Sequence, residues 1–281
     1  MQRKYALLGG KLGHTLSPPI HRRLFELKNR EFEYSLIEAS AQELESKKAE
    51  LSQLAGYNVT IPHKQAIISQ LDRLGESAKR YGAVNCVDNK NGVLTGYNTD
   101  CDGFLRSIKA SGGSLSGNVL LLGAGGVGRM MAIETALAGG TLTMAVLENF
   151  IPQTEKVAED ILARTPDANV SIVTLSDIPD AHFDTLINAT PVGMYPNCDA
   201  CVVSDSTIAN ADLVFDAIYN PRETLLIQKA KSMGKTAVGG MAMLVWQAVS
   251  AHEIWDGDSY TDEQVQAIIS EMYERVERDF K

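Results

Sequence analysis

Asn118-Val119-Leu120-Leu121-Leu122-Gly123-Ala124-Gly125-Gly126-Val127-Gly128-Arg129-Met130-Met131-Ala132-Ile133-Glu134-Thr135-Ala136-Leu137-Ala138 is the stretch that decides the fold. Its opening apolar run is too short for a helix and suits a buried strand. The run after the glycines is long enough for a helix, and Gly139-Gly140 ends it. Between the two, Gly123, Gly125 and Gly128 match G-x-G-x-x-G. The first glycine permits a tight turn, the second lets the backbone approach a pyrophosphate, and the third lets the helix pack close to its strand, with free helix amides facing the anion. The motif is weak alone. Placed between a strand and a helix, it predicts a dinucleotide site at Gly123, Ala124, Gly125, Gly126, Val127 and Gly128.

Downstream, a second strand runs from Leu142 to Leu147 and a helix from about Thr154 to Arg164. Further strand-like runs are Val170–Val173, Thr185–Asn188, Leu213–Asp216 and Thr236–Val238. Strands alternating with helices mean parallel βαβ units, so residues 102–240 are expected to form a Rossmann-type, doubly wound domain. Upstream, Tyr5–Leu8, a helix over Pro18–Leu27, Phe32–Ile37, a helix near Ala41–Leu54 and Gly56–Thr60 repeat the alternation. Residues 1–101 therefore read as a separate α/β domain, the substrate-binding one. Met243–Ile254 and Thr261–Phe280 read as helices with no strand to follow, and residues 241–281 are expected to return to the first domain, leaving a cleft between the two.

Nucleotide choice is read at the end of the second strand, where Glu148 and Asn149 stand. A carboxylate there accepts from ribose hydroxyls and repels a 2′-phosphate, and no arginine follows before Arg164, so either NAD or NADP fits the fold and NAD is favoured. The lesser reading makes Glu148 a surface residue at a strand end, and Phe150, Ile151 and Pro152 look like a short insertion that could carry it out of reach.

Composition narrows the partners. The 281 residues are 44% hydrophobic and 22% charged, a globular balance that suits two domains. A net charge of −9 disfavours a nucleic-acid partner, and any anionic metabolite must be held by hydroxyls, loop amides and helix N-termini. No segment has the apolar length of a membrane span, and the basic opening Met1-Gln2-Arg3-Lys4 leads into too short an apolar run for a signal peptide, so a cytoplasmic location is expected. Cys86, Cys101, Cys198 and Cys201 are too few for a disulfide framework, and Cys198-Asp199-Ala200-Cys201 lacks a second ligand pair, which makes it a loop with reduced thiols. His14, His21, His182 and His252 form no ligand-spaced set, and no metal is expected.

In the first domain, Thr15-Leu16-Ser17-Pro18 presents two hydroxyls ahead of a proline that can open a helix, a pattern that is either a cap or a grip for a carboxylate. Asn58-Val59-Thr60-Ile61-Pro62-His63-Lys64 ends a strand and offers a lysine at the domain's edge. Ala83-Val84-Asn85 and Gly96-Tyr97-Asn98-Thr99-Asp100 add an amide and a carboxylate.

These segments, with Asn188-Ala189-Thr190-Pro191-Val192-Gly193-Met194, Tyr219-Asn220-Pro221, Thr224 and Met243-Leu244-Val245 leading to Gln247, resemble the shikimate dehydrogenase family, including its quinate/shikimate members, over nearly the whole chain. The resemblance implies a two-domain enzyme of the shikimate pathway. It makes Lys64 and Asp100 the catalytic pair and places Asn85 and Gln247 on substrate hydroxyls. Thr15 and Ser17 take the substrate carboxylate, Thr60 and Tyr219 line the substrate site, and Thr190 and Met243 lie at the cofactor. The implied substrate is a small shikimate- or quinate-type ring compound, and the implied assembly a monomer or homodimer. The chemistry agrees, because hydride reduction of a carbonyl needs a proton donor at the developing alkoxide. Family members often carry serine at Thr15, an aromatic or aliphatic residue at His63, and glycine at Cys101 and Ala242. His63 is expected to face outward. The alternatives are an NAD-dependent quinate/shikimate dehydrogenase and a non-catalytic dinucleotide- or metabolite-binding homologue. A tetrahydrofolate dehydrogenase would leave Asn58–Lys64 unexplained.

Overall fold

A computed structural model describes residues 3–13 and 15–279. The expected helix end at Phe280, His14 and the first two residues of the basic opening lie outside these. By internal packing the chain divides into two units. One comprises the described residues up to Gly103 together with Val245–Arg275, and the other comprises Phe104–Leu244 together with Val276–Asp279.

The first unit begins β1 (Arg3–Gly9), α1 (Ser17–Leu27), β2 (Phe32–Glu38), a 3-10 turn (Leu44–Lys47), α2 (Lys48–Leu51) and β3 (Gly56–Val59). A second 3-10 turn (Ala66–Gln70), β4 (Arg73–Leu74), α3 (Glu76–Tyr81), β5 (Cys86–Lys90) and β6 (Val93–Tyr97) complete a six-stranded sheet of order β2-β1-β3-β5-β6-β4. The sheet is mixed: β1 pairs in parallel with β2 and β3, whereas β5 is antiparallel to both β3 and β6. The β5–β6 hairpin closes through Asn91 and Gly92, both at positive φ (56° and 82°), the backbone a tight two-residue hairpin turn requires.

Period-two alternation splits the strands between two cores. Ala6, Leu8, Tyr57, Val59 and Val87 face a cluster completed by Ile37, Leu51, Ile67 and Ala78, while Tyr5 and Cys86 face the opposite side with Phe25, Ala251 and Trp255. Trp255 Nε1 donates to the Val87 carbonyl at 2.9 Å, and a side chain on Gly56 would collide with the same indole. Within this second cluster runs a buried polar chain. The Tyr260 hydroxyl donates to the Leu24 carbonyl (3.1 Å) and meets His252 Nδ1 (3.1 Å), and His252 Nε2 meets His21 Nδ1 (3.0 Å). Burial lowers the proton affinity of both histidines, to a pKa of about 3 for His21 and well below the usual value for His252, where the neighbouring His21 and Arg30 add to the effect.

Next in chain order are α4 (Asp100–Ala110), β7 (Asn118–Leu122), α5 (Gly126–Leu137), β8 (Thr141–Val146), a 3-10 turn (Glu148–Phe150), α6 (Ile151–Arg164), β9 (Asn169–Thr174), β10 (Phe183–Asn188), α7 (Asp205–Ala209), β11 (Ala211–Asp216), α8 (Leu225–Ser232) and β12 (Thr236–Gly239). The helices α9 (Met241–Asp256) and α10 (Asp262–Asp279) end it. The second unit's sheet is wholly parallel, ordered β12-β11-β10-β7-β8-β9. Numbered from β7, this is the 3-2-1-4-5-6 order of a doubly wound fold, and the order reverses between β7 and β10, where such sheets bind ligands beyond their strand ends. Apart from exposed Asn118 and half-buried Asp184, the central strands β7 and β10 are buried, as parallel strands covered on both faces must be.

Some elements differ from the sequence expectation. In place of a helix over Ala41–Leu54 there is a 3-10 turn and a single short α-helix, because only Leu44, Leu51 and Leu54 reach the core and the polar residues between them have no face to bury. The supposed insertion at Phe150-Ile151-Pro152 folds as the end of a 3-10 turn and the first turn of α6, where proline needs no amide partner. Among the described residues, no helix is long and apolar enough to cross a membrane.

Candidate active site

Strand direction brings four loops of the first unit to one sheet edge. β1 and β3 are parallel neighbours, Leu8 beside Val59, so the segments after them leave at the same end. β5 runs against β3 with Cys86 beside Asn58, which puts Asn85 at that end too. β6 runs back with Tyr97 beside Cys86 and delivers Asn98, Thr99 and Asp100 there. Backbone bonds tie the loops, with Gly10 N–H on the Ile61 carbonyl (3.0 Å), Val59 N–H on the Asn85 carbonyl (2.8 Å) and Val84 N–H on the Lys64 carbonyl (2.7 Å).

At this edge Lys64 Nζ stands 2.7 Å from Asp100 Oδ2, with the two side chains 28% and 18% exposed. The other Asp100 oxygen accepts from Asn85 Nδ2 at 2.9 Å. Asn85 is itself pinned: its Nδ2 donates to Thr99 Oγ1 (3.0 Å), its Oδ1 accepts from the Thr99 amide (2.7 Å), and Gln247 Oε1 of α9 lies 3.4 Å from Nδ2. The Gln247 contact is the longest of these three. Asn98 Oδ1 accepts from the Asp100 amide (3.1 Å) and its Nδ2 donates to the Ala83 carbonyl (3.2 Å), fixing the first residue of α4 to the loop that carries Asn85. This half-dry constellation offers a half-buried ammonium hydrogen-bond donor, held by a carboxylate whose other oxygen is fixed by Asn85.

Thr15 and Ser17 follow β1 as expected, their hydroxyls 3.3 Å apart and half-buried, with the Ser17 amide donating to Thr15 Oγ1 at 3.2 Å. Thr60 is half-buried, its amide on the Leu8 carbonyl (2.8 Å). Its methyl occupies space that only a glycine at position 9 leaves free. His63 corrects the expectation of an outward ring. It is fully buried, its amide closes a turn on the Thr60 carbonyl (2.9 Å), and its Nε2 meets the Ala39 carbonyl at 2.7 Å, so the chain turns inward at His63 and outward again at Lys64.

In the second unit the glycine turn fits a dinucleotide. Gly123 has φ 86°, open to glycine at little cost, and any side chain on Gly128 would strike the Gly123 carbonyl. Gly125 and Gly126 face open space, and Gly125 caps α5 with no side chain of its own, leaving a helix N-terminus and a cradle that a Cβ would begin to fill. Thr190 lies at the end of β10 on the far side of the switch point, its methyl against Gly123. Glu148 and Asn149 are exposed in the 3-10 turn that follows β8. Arg129 of α5 and Arg164 of α6 both pair with Asp160, at 2.7 and 2.8 Å. Tyr219, on the loop after β11, is half-buried, and burial raises its phenol above the usual range. Met243 is buried in the first turn of α9.

Two histidine–carboxylate groups come together that sequence spacing did not reveal, His182 with Asp184 and Asp212, and His252 with Asp256 and Asp258. Both are engaged with protein: His182 pairs with Asp212 (3.1 Å), and Asp258 holds Arg30 (2.6 Å). Cys198 and Cys201 are half-buried free thiols in a loop. Asn98 and Thr99 carry no role in the sequence reading. An asparagine two residues before an aspartate at a helix start is the local signal that assigns the first of them.

Residues 7–87 match the family model described as the shikimate dehydrogenase substrate binding domain. The chain is 35% identical over 260 residues to a shikimate dehydrogenase (NADP(+)) of Caldanaerobacter subterraneus subsp. tengcongensis, covering 91% of this chain and 92% of that one. Among solved structures, shikimate 5-dehydrogenase from Listeria monocytogenes in complex with shikimate and NAD superposes with a TM-score of 0.87 at 29% identity, covering 95% of this chain and 96% of that one. A ligand-free 5-ketofructose reductase of a Gluconobacter species superposes with a TM-score of 0.85 at 29% identity, covering 97% and 99%.

Proposed function

Because the chain belongs to the shikimate dehydrogenase family, we propose that it interconverts shikimate and 3-dehydroshikimate using a nicotinamide dinucleotide, with NAD favoured over NADP. The observation that carries this reading is the Lys64–Asp100–Asn85–Gln247 assembly at one sheet edge. The dinucleotide, when bound, takes a hydride from the carbinol carbon or returns one to the carbonyl carbon.

The remaining work falls to side chains of this chain. In the reducing direction the alkoxide oxygen takes its proton from the Lys64 ammonium, and in the oxidising direction the hydroxyl proton passes to the Lys64 amine. Asp100 keeps Nζ at 2.7 Å and stabilises the charged amine in either direction, while Asn85 prevents the carboxylate from turning away. The Thr15 and Ser17 hydroxyls, with the start of α1 behind them, receive the substrate carboxylate without a cation, which suits a chain of net charge −9. Gln247 and Asn85 take ring hydroxyls.

The NAD preference rests on Glu148, an exposed carboxylate in the turn after β8 that would repel a 2′-phosphate, while among the described residues Arg129 and Arg164 both pair with Asp160. Thr15 favours a second reading, in which quinate is the better substrate, because its extra methyl alters the carboxylate end of the site. Initial rates for shikimate and quinate, each with NAD and with NADP, test both. Shikimate with NAD should be fastest, and no turnover of either ring compound with either nucleotide would overturn the assignment.

A further inference from the structure

β10 and β11 end on a matched pair, Asn188 beside Asp216, and both side chains are fully buried. Asp216 Oδ1 accepts from Asn188 Nδ2 and from the Ile218 amide, each at 3.0 Å, and Oδ2 accepts from Thr224 Oγ1 at 2.6 Å. Asn188 Oδ1 in turn accepts from the Thr190 amide (3.0 Å) and the Thr190 hydroxyl (2.7 Å). Among the described residues no lysine or arginine pairs with Asp216, and desolvation pushes its carboxyl up to about 6 in spite of three donors. Burying a carboxylate without a cation costs several kcal/mol before its hydrogen bonds are counted, so packing alone gives no reason for the charge.

What the charge does is hold loops. Thr190 sits against the glycine turn: a Cβ built on Gly123 would lie 2.8 Å from Thr190 Cγ2, and one on Gly128 would lie 3.4 Å from Ala189 Cβ. On the other side Thr224 caps α8 through the Ile227 amide, and the Tyr195 amide donates to the Asn220 carbonyl at 3.0 Å, joining the loop after β10 to the loop after β11. We propose that Asp216 is a positioning residue for dinucleotide binding, holding the Thr190 loop against Gly123 through Asn188 and the Tyr219 loop and the start of α8 through Ile218 and Thr224. The inference rests on the reading that the second unit binds the dinucleotide.

The test is calorimetric titration of the full chain with NAD and with NADP, alongside thermal unfolding. Asp216→Asn should weaken dinucleotide binding tenfold or more. Thr224→Val should weaken it at least threefold, and Thr224→Ser, which keeps the hydroxyl, should stay within twofold of the parent. Thr185→Val removes a part-buried hydrogen bond, from Thr185 Oγ1 to the Ser114 carbonyl (2.9 Å), at the opposite end of the sheet, and should lower Tm while leaving Kd within twofold. Asp216→Asn with lower Tm and unchanged Kd would make the residue structural and overturn the proposal. If that variant does not fold, equal affinities for Thr224→Val and Thr224→Ser overturn it. A parent that binds neither nucleotide overturns the functional reading itself, which separates the two failures.

Discussion

Removing Lys64 should cost this enzyme its proton donor and little else. Positioned proton transfer contributes roughly 10²–10⁴-fold, or about 2.7–5.4 kcal/mol, so Lys64→Ala is expected to lower kcat by that factor. Asp100→Asn removes only the charge that holds the ammonium. At a 2.7 Å contact the pair interacts by about 6 kcal/mol in a medium of effective dielectric near 20, and partial exposure of both side chains reduces this to about 1–2 kcal/mol, a loss of roughly 5- to 30-fold in kcat. Asp100 acts through Lys64, so the double variant should be no slower than Lys64→Ala alone. Steady-state kcat for the four proteins, with dinucleotide Kd measured separately, decides the matter. A Lys64→Ala enzyme within tenfold of the parent, or single losses that multiply in the double variant, would refute the reasoning.

At the nucleotide end, the parent should favour NAD over NADP by about ten- to hundredfold in kcat/KM, and Glu148→Ala should erase most of that bias. An unchanged ratio would show that another residue reads the ribose. Gly125→Ala and Gly128→Ala should separate affinity from stability. The first adds a methyl into open space and weakens dinucleotide binding with an unchanged Tm, whereas the second drives a methyl at the Gly123 carbonyl and costs about 1–3 kcal/mol of stability, seen in urea unfolding. Stability should also depend on pH through the His21–His252 pair. Both histidines have folded-state pKa values below the unfolded one, so the unfolded chain binds more protons between about pH 6.5 and 3 and stability falls as pH drops through that window. Asp216, raised to about 6, works the other way between about 6 and 4, so the informative comparison is His21→Phe against the parent. A Tm profile from pH 7.5 to 5 that is as steep in the variant would count against the pair.

Whether such features can be read in advance depends on how local their causes are. The glycine turn was legible because strand, turn and helix follow one another within about two dozen residues, and so was the parallel sheet, whose buried strands read as unbroken apolar runs. The lysine–carboxylate pair was legible as two segments, but their meeting requires β3, β5 and β6 to lie side by side with alternating direction, a non-local fact. His63 failed for the same reason. Its neighbour is the Ala39 carbonyl, 24 residues earlier, and nothing beside it in sequence tells an inward ring from an outward one. Asp216 was read only as the end of an apolar strand, since its partners come from the neighbouring strand and from eight residues downstream. The Asn91-Gly92 turn, by contrast, carried a strong local signal for the hairpin, which went unread between two segments noted for their polar ends.

That hairpin also sets where the chain can change length. Its tip lies at the far end of β5 and β6 from Asn85 and Asn98, so residues gained at 91–92 extend into solvent and leave the edge that carries Lys64, Asn85 and Asp100 in place. A single deletion within β5 is a different event. Cys86 faces the Trp255 side and Val87 the opposite core, and slipping the strand by one would exchange them. Asn85 would then be carried away from Asp100 although no polar residue had been altered. Lineages that lengthen or shorten this enzyme should therefore do so at the hairpin tip, with the spacing from Asn85 to Lys90 and from Val93 to Asp100 kept fixed by apolar packing.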